Sequence, residues 1–180
     1  MSSNAIKIAI ALLPALTLAA GSALAQAPPH QACASISDEG LPATLAGWTS
    51  RSPLAAAADL AGVGAAQLPI GRAVTATLKP TRDVVFPVLP AQPGGSVSQS
   101  GLFELLVAQP GDYQISLGAG GWIDVLSGGE RIQSVRHGRG PACSTVRKTV
   151  TFPLKPGRYV VAITGAAQPA LPVMVTRVAP

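Results

Sequence analysis

Short runs of alternating apolar and polar residues dominate the sequence after residue 71, and Gly or Pro separates most of them. In "RAVTATL", Val74, Ala76 and Leu78 fall on one face and threonines fall on the other, which is the period of a half-buried strand. A parallel α/β fold would need crossover helices, and no long helical pattern separates these runs. We therefore predict an all-β domain, an antiparallel β-sandwich or jelly roll, over residues 72–180. The predicted strands are "RAVTATL", "DVVFPVL", "GLFELLVA", "DYQISLG", "WIDVLSG", "RIQSV", "STVRKTVTFPL", "RYVVAITG" and "PVMVTRV".

Two of these strands begin with similar sequences, "QPGDYQISLGAG" and "KPGRYVVAITGA". Pro-Gly favours a type II turn, because proline presets the first central position and glycine supplies the positive φ of the second. We expect the two strands to be equivalent core strands, with the rings of Tyr113 and Tyr159 packed inward and their hydroxyls hydrogen-bonded. The glycine-rich "GAGG", which joins the predicted strands "DYQISLG" and "WIDVLSG", is interpreted as a hairpin turn rather than a phosphate-binding loop.

The N-terminus has the pattern of an export signal. Lys7 precedes an apolar run over residues 8–18, and Ala23-Leu24-Ala25 forms a small-residue cleavage site before Gln26. The apolar run is shorter than the roughly 20 residues that a membrane-spanning helix needs. We expect residues 1–25 to be removed, which leaves a periplasmic or secreted protein without stable membrane insertion.

Residues 26–71 are rich in Ala, Pro and Gly and are interpreted as a leader packed across the main domain. Within it, "TSRSPLAAAADLAG" predicts a short helix with Ser52 as the N-cap, Pro53 in the first position and Gly62 at the end. We expect Trp48 to anchor this leader rather than to bind a ligand.

The sequence contains two cysteines, Cys33 and Cys143. Exported proteins fold in an oxidising compartment, and an even number of cysteines is typical of a disulfide framework. We predict one disulfide that tethers the leader to the main domain. The alternative is a pair of buried free thiols.

The segments "PGDYQISLG", "GWIDVLSGGERIQS" and "FPLKPGRYVVAITG" resemble the bacterial pre-peptidase C-terminal family, over roughly residues 102–165. That family consists of small β-sandwiches in which a Gly-x-Tyr turn leads a core strand. Asp124 stands where the family often has an acidic cluster that binds calcium, but here it is nearly alone. The whole chain also resembles small exported proteobacterial proteins, some of which are labelled homogentisate 1,2-dioxygenase. That enzyme family is a cupin that holds ferrous iron with two histidines and a glutamate.

Catalytic chemistry has few candidate residues in this chain. The two histidines, His30 and His137, lack ligand spacing, and His137 with Cys143 would supply only two of the four ligands of structural zinc. A nucleophilic pair of the same two residues would require Cys143 to stay reduced. There is no Gly-x-Ser-x-Gly elbow and no obvious carboxylate pair. We predict no catalytic residue, metal or cofactor; the competing hypothesis is a metal-dependent enzyme with His137 as a ligand.

A basic region follows Glu130 and provides the first candidate binding site. The chain carries a net charge of +5, and Lys7 leaves with the predicted signal. Guanidinium and ammonium groups bind the carboxylates of acidic polysaccharides and the phosphates of lipopolysaccharide. An anionic envelope component is therefore the predicted ligand class. The alternative is a solvated basic face, and nucleic acid is disfavoured because no aromatic residues interleave with the arginines. The candidate residues are Arg131, Arg136, Arg139, Arg147 and Lys148.

A second candidate site lies in "GWIDVL". Strand alternation directs Ile123 and Val125 inward and leaves Trp122 and Asp124 on the opposite face. An indole beside a carboxylate can serve as a platform for a sugar ring or a peptide. The alternative is that Trp122 covers the edge of the core or packs under the leader. We therefore predict a non-enzymatic exported binding or accessory module, with an anionic polysaccharide or an envelope protein as the partner.

Overall fold

The architecture is an all-β sandwich, as predicted. The computed structural model describes residues 33–178, so the predicted export signal and His30 lie outside the described residues. The order of strands is β1-β2-β11-β5-β9-β8 in the first sheet and β3-β4-β10-β6-β7 in the second. Neighbouring strands are antiparallel except for the parallel pair β1–β2. The strands are β1 Ser52–Ala55, β2 Ala73–Thr77, β3 Lys79–Pro80, β4 Gln99–Val107, β5 Gly111–Leu117, β6 Trp122–Ser127, β7 Glu130–Arg131, β8 Arg136–Gly138, β9 Lys148–Leu154, β10 Gly157–Ala166 and β11 Ala170–Val178.

Helical structure in the described residues is limited to three short 3-10 helices, Ala43–Trp48, Val63–Ala65 and Thr81–Asp83. Within residues 33–178, no helix has the length and apolar character needed to cross a bilayer.

The core lies between the two sheets and contains side chains from both. Phe103 and Leu105 of β4 pair in register with Val161 and Tyr159 of β10, and they contribute to the same apolar cluster as Ile115 of β5. Complete burial of a side chain of this size contributes roughly 1.5–3 kcal/mol. The alternating apolar residues of the sequence therefore form the inner faces of the two sheets.

The two tyrosine-led strands occupy equivalent positions, because β5 and β10 are each flanked by strands on both sides in their own sheets. Tyr113 and Tyr159 are both buried. Their hydroxyls donate hydrogen bonds to the carbonyls of Gln109 and Lys155, at 2.8 and 2.9 Å. These contacts confirm the inward rings and the bonded hydroxyls.

The type II turns predicted at the two Pro-Gly pairs are wrong. Gly111 has a φ of +154°, and Gly157 is not among the glycines with positive φ. Each glycine is the first residue of its strand, and neither adopts the φ of about +80° that this turn requires. The "GAGG" segment is not a hairpin either, because it connects β5 of the first sheet to β6 of the second.

Two of the nine predicted strands differ substantially from the structure. "DVVFPVL" forms no strand after the 3-10 helix Thr81–Asp83, and only Arg131 of "RIQSV" lies in a strand. Pro87, Pro90 and Pro93 provide no backbone donors, so the segment that contains them cannot pair as a regular strand. It forms a loop instead, and this loop contributes to the candidate site.

The short helix predicted from Ser52 to Gly62 is also wrong. Residues Ser52–Ala55 form β1, which pairs in parallel with β2. The next two amides are also paired. Ala56 donates to the carbonyl of Thr77 in β2, and Ala57 donates to that of Leu102 in β4 of the second sheet, both at 2.9 Å. Pairing with the edges of both sheets outweighs the local helix-start signals, because propensity is weak relative to tertiary contacts. Residues 33–71 belong to the same compact unit as the rest of the sandwich.

The predicted disulfide is present and joins Cys33 to Cys143, with Cα atoms 5.4 Å apart. The backbone beside it is also paired, since the amide of Ser37 donates to the carbonyl of Cys143 at 2.8 Å. Trp48 is 0% exposed, and its indole N–H donates to the Thr145 hydroxyl at 2.8 Å. Trp48 therefore anchors the N-terminal segment, as predicted.

Asp38 completes this attachment. Its carboxylate accepts hydrogen bonds from the amide and the hydroxyl of Thr145, at 2.8 and 2.6 Å, and it pairs with Arg51 at 3.5 Å. Burial raises the pKa of the Asp38 carboxyl, but the bonds from Thr145 and the charge of Arg51 outweigh burial and lower it below its ordinary value. We call this group the N-terminal clamp; its residues are Cys33, Asp38, Trp48, Arg51, Cys143 and Thr145.

Candidate functional site

A cavity of about 160 Å³ opens between the two sheets, where the edge strands β7 and β8 leave the sandwich incompletely closed. Ile123 of β6 belongs to the second sheet and Val150 of β9 to the first, so the cavity has one wall from each sheet. His137 of β8 is the register partner of Val150 and therefore lies on the same face. We call this cavity the basic pocket; its lining residues are Trp122, Ile123, Ser134, His137, Lys148 and Val150.

Lys148 supplies the positive charge of the basic pocket. It is the first residue of β9 and shares the inward face of that strand with Val150 and Phe152, by alternation. Its Nζ donates to the carbonyl of Gly121 at 2.6 Å and lies 5.0 Å from the centre of the Trp122 ring, a cation–π distance. Burial lowers the pKa of the Lys148 ammonium. Within residues 33–178, no carboxylate lies at ion-pair distance from it, so the ammonium is oriented but not neutralised.

Trp122 supplies the aromatic surface and is held in one orientation. It is 39% exposed, and its indole N–H donates to Asp124 Oδ1 at 3.1 Å. Lys148 lies over the same ring. The indole is therefore fixed from two directions while a large part of it remains accessible to solvent.

Asp124 is buried and holds a neighbouring loop in place. It is only 7% exposed, and its Oδ2 accepts the amide of Ala91 at 3.2 Å. Arg131 lies 3.4 Å from its Oδ1 and also donates to the carbonyl of Leu89. The proline-containing loop thus covers the face of β6 on which strand alternation places Trp122 and Asp124. Asp124 does not form an exposed platform with Trp122, because its carboxylate is buried and accepts a hydrogen bond from the loop.

The five predicted basic residues fall into two groups. Arg131 is paired with Asp124, and Arg136 of β8 lies 3.8 Å from Asp112. The remaining three have no ion pair among the described residues. This second group consists of Arg139, Arg147 and Lys148.

The pairing of β8 with β9 brings part of the second group together. Gly138 is opposite Thr149, so the next residues along the two strands are Arg139 and Lys148. Arg139 and Arg147 are both exposed. Two exposed cations without an ion pair among the described residues are therefore neighbours of Lys148, Arg139 across the two strands and Arg147 along the chain.

Sequence reasoning did not identify His137 and Ser134 as lining a pocket beside Trp122. From the sequence we considered His137 only as a metal ligand or as a partner of Cys143, and Cys143 is in the disulfide. The sequence lacked a pattern that would predict the strand β8, which is only three residues long. Such a short strand has too little alternation to be recognised, and it acquires its register from β9.

Potential metal ligands do not cluster in the described part of the chain. Within residues 33–178, no group of three or more His, Cys, Asp or Glu residues is arranged to hold an ion.

Neither a protein-family model nor a curated protein matches this sequence. The resemblance to the pre-peptidase C-terminal family therefore stays a prediction, and the functional argument depends on the basic pocket itself.

Proposed function

We propose that this protein is a non-enzymatic exported binding module that recognises acidic glycans through the basic pocket. The observation that carries the proposal is the Lys148 ammonium, which has no carboxylate partner among the described residues and lies against the half-exposed indole of Trp122. An acidic sugar offers the complementary groups, a carboxylate for the ammonium and an apolar C–H face for the ring.

The size of the basic pocket favours a small acidic group over a protein surface. Its volume of about 160 Å³ is below the 300–1,000 Å³ of pockets that enclose a whole drug-sized ligand. A stable protein partner would instead bury roughly 800 Å² on each side. One acidic sugar at the end of, or within, a longer chain fits this pocket, with the rest of the chain outside.

The neighbouring cations extend the attraction beyond the pocket. Arg139 and Arg147 are exposed and carry no ion pair within residues 33–178. Uncompensated surface charge of one sign accelerates the approach of an oppositely charged polymer, and salt screens this effect over about 8 Å at physiological ionic strength. We therefore expect the affinity to fall as salt is added.

The proposed location is the periplasm or the extracellular space. The disulfide between Cys33 and Cys143 supports it, because structural disulfides form and persist in oxidising compartments. The predicted export signal over residues 1–25 supports the same location from the sequence.

The test is calorimetric titration of the protein with polygalacturonate, a polymer of acidic sugars. We expect binding that weakens with added NaCl, and about tenfold weaker binding for Lys148→Met, which keeps the apolar stem and removes the charge. Lys155→Met is the matched control, because Lys155 is exposed just after the opposite end of β9. Absence of binding by the wild-type protein, or equal affinities of the two variants, would contradict the proposal.

A further inference from the structure

A second cavity shares the Trp122 wall with the basic pocket. It is a shallow groove of about 370 Å³, and none of the residues that line it carries a charge. Three of its six lining residues are glycines. We call it the glycine groove; its lining residues are Gln92, Gly94, Gly121, Trp122, Thr164 and Gly165.

Backbone rather than side chains forms much of the groove wall. Gly94 and Gly165 have φ angles of +86° and +67°, which glycine adopts without strain. A Cβ on Gly94 would lie 2.6 Å from the Cα of Gly165, so the two chain segments meet too closely for a side chain there. The hydroxyl of Thr164 donates to the carbonyl of Gln92 at 2.7 Å and fastens the loop to β10. The result is a fixed wall of peptide groups beside an indole.

The two cavities are connected through neighbouring residues. Gly121 lines the glycine groove, and its carbonyl accepts the hydrogen bond from Lys148 of the basic pocket. Trp122 lines both cavities. The two cavities are therefore neighbours that share the indole of Trp122, so a chain with one unit in the basic pocket can place another unit in the glycine groove.

We propose that the glycine groove is a subsite for an uncharged sugar, so that the preferred ligand alternates acidic and neutral sugars along its chain. This inference rests on the proposed function of the basic pocket. Peptide groups and the Gln92 amide can exchange hydrogen bonds with sugar hydroxyls, and the indole offers an apolar surface. The groove has no cation among its lining residues to compensate a second carboxylate, which would have to give up part of its hydration there.

The experiment compares two probes with equal charge by calorimetry. One is a hyaluronan hexasaccharide, in which three glucuronates alternate with three N-acetylglucosamines, and the other is trigalacturonate, which has three carboxylates and no neutral sugar. The proposal predicts that the wild-type protein binds the alternating probe about tenfold more tightly, equivalent to about 1.4 kcal/mol.

A positive charge placed in the groove should remove this preference, because it would compensate a second carboxylate there. Gln92→Lys adds an ammonium to the lining, and the fold contact of residue 92 uses its backbone carbonyl, so the contact is retained. Gln168→Lys is the control, because it adds the same charge to an exposed residue between β10 and β11. We expect the affinity ratio of the two probes to approach one in Gln92→Lys and to remain near ten in Gln168→Lys.

The outcomes separate the two proposals. Equal affinities of the wild-type protein for the two probes would overturn the subsite while leaving the basic pocket as an anion site. A preference that survives Gln92→Lys would also overturn it, because the neutral sugar would then lie elsewhere. Binding of neither probe would overturn both the subsite and the proposed function.

Discussion

The molecule contains two tryptophan–cation pairs that differ in what surrounds them. Arg51 lies 5.2 Å from the Trp48 ring in the N-terminal clamp, and Lys148 lies 5.0 Å from the Trp122 ring in the basic pocket. Trp48 is completely buried, whereas Trp122 is 39% exposed. Two pairs with nearly the same geometry thus lie in opposite environments.

The position of the nearest carboxylate distinguishes the two pairs. In the clamp, Asp38 pairs with Arg51 and neutralises it. In the pocket, Asp124 holds the indole of Trp122, but its cationic partner is Arg131 rather than Lys148. The pair whose charge a carboxylate balances is therefore part of the fold, and the pair whose charge has no carboxylate partner among the described residues is the candidate binding site.

The largest predicted effect is on stability and separates the two tryptophans. Trp48→Ala should lower the free energy of unfolding by about 4 kcal/mol, because it removes a fully buried aromatic residue and the bond to Thr145. Trp122→Ala should lower it by only about 1 kcal/mol. Urea denaturation of the two variants measures both values. Equal losses of unfolding free energy in the two variants would contradict the distinction between a buried Trp48 and a partly exposed Trp122.

The disulfide should produce the next largest effect. Replacing Cys33 and Cys143 together by alanine removes a cross-link between residues 110 apart in sequence, which should cost about 2–4 kcal/mol. Polygalacturonate affinity should not change, since the disulfide does not contact the basic pocket. Calorimetry on the double variant, at a temperature where it is folded, checks the second expectation, and a large loss of affinity would couple the clamp to the pocket.

Asp38 makes the contribution of the clamp dependent on pH. Its pKa is lowered in the folded protein, so its stabilising effect is complete above the ordinary pKa of an aspartate and is lost as the pH falls through the lowered value. Asp38→Asn should cost about 2 kcal/mol at pH 7, where it loses charge-assisted hydrogen bonds to Thr145. Denaturation at a series of acidic pH values should show the two proteins converging in stability. A gap that stays constant down to pH 2 would contradict the role of the ionised carboxylate.

The smallest effect concerns Lys148 and should appear at alkaline pH. Burial lowers its pKa, so its positive charge is lost at a lower pH than that of an exposed lysine. Polygalacturonate affinity of the wild-type protein should decline by about tenfold as the pH rises through this value. Lys148→Met should lack this decline and Lys155→Met should retain it. A decline in all three proteins would assign the titration to another group.

The sequence predicted the sandwich because its apolar alternation survives in the structure as the inner faces of the sheets. It also predicted the disulfide, the anchoring role of Trp48 and the matching roles of Tyr113 and Tyr159. Each of these features depends on residue type and local periodicity, which a sequence displays directly. Local helix-start signals gave a wrong prediction where strand pairing determines the structure, as in the N-terminal segment that forms β1 instead of a helix.

The candidate site was predictable only in part. Trp122 and Lys148 were both named from the sequence, but as members of two separate surfaces. The two residues come together because the connection from β5 to β6 lies beside the start of β9. The hydrogen bond from Lys148 to the Gly121 carbonyl therefore could not be predicted from the sequence. Asp124 is buried beneath a loop that includes Ala91, whose amide it accepts, and we predicted the first part of this loop, residues 83–89, to be a strand.

The most direct test of this account uses the two indole N–H groups, since the sequence contains only two tryptophans. In a ¹H–¹⁵N correlation spectrum each gives one side-chain signal, and Trp122→Phe assigns them. Titration with the hyaluronan hexasaccharide should shift the Trp122 signal progressively and leave that of Trp48 in place. A shift of the Trp48 signal alone, or no shift of either, would contradict the assignment of binding to the basic pocket.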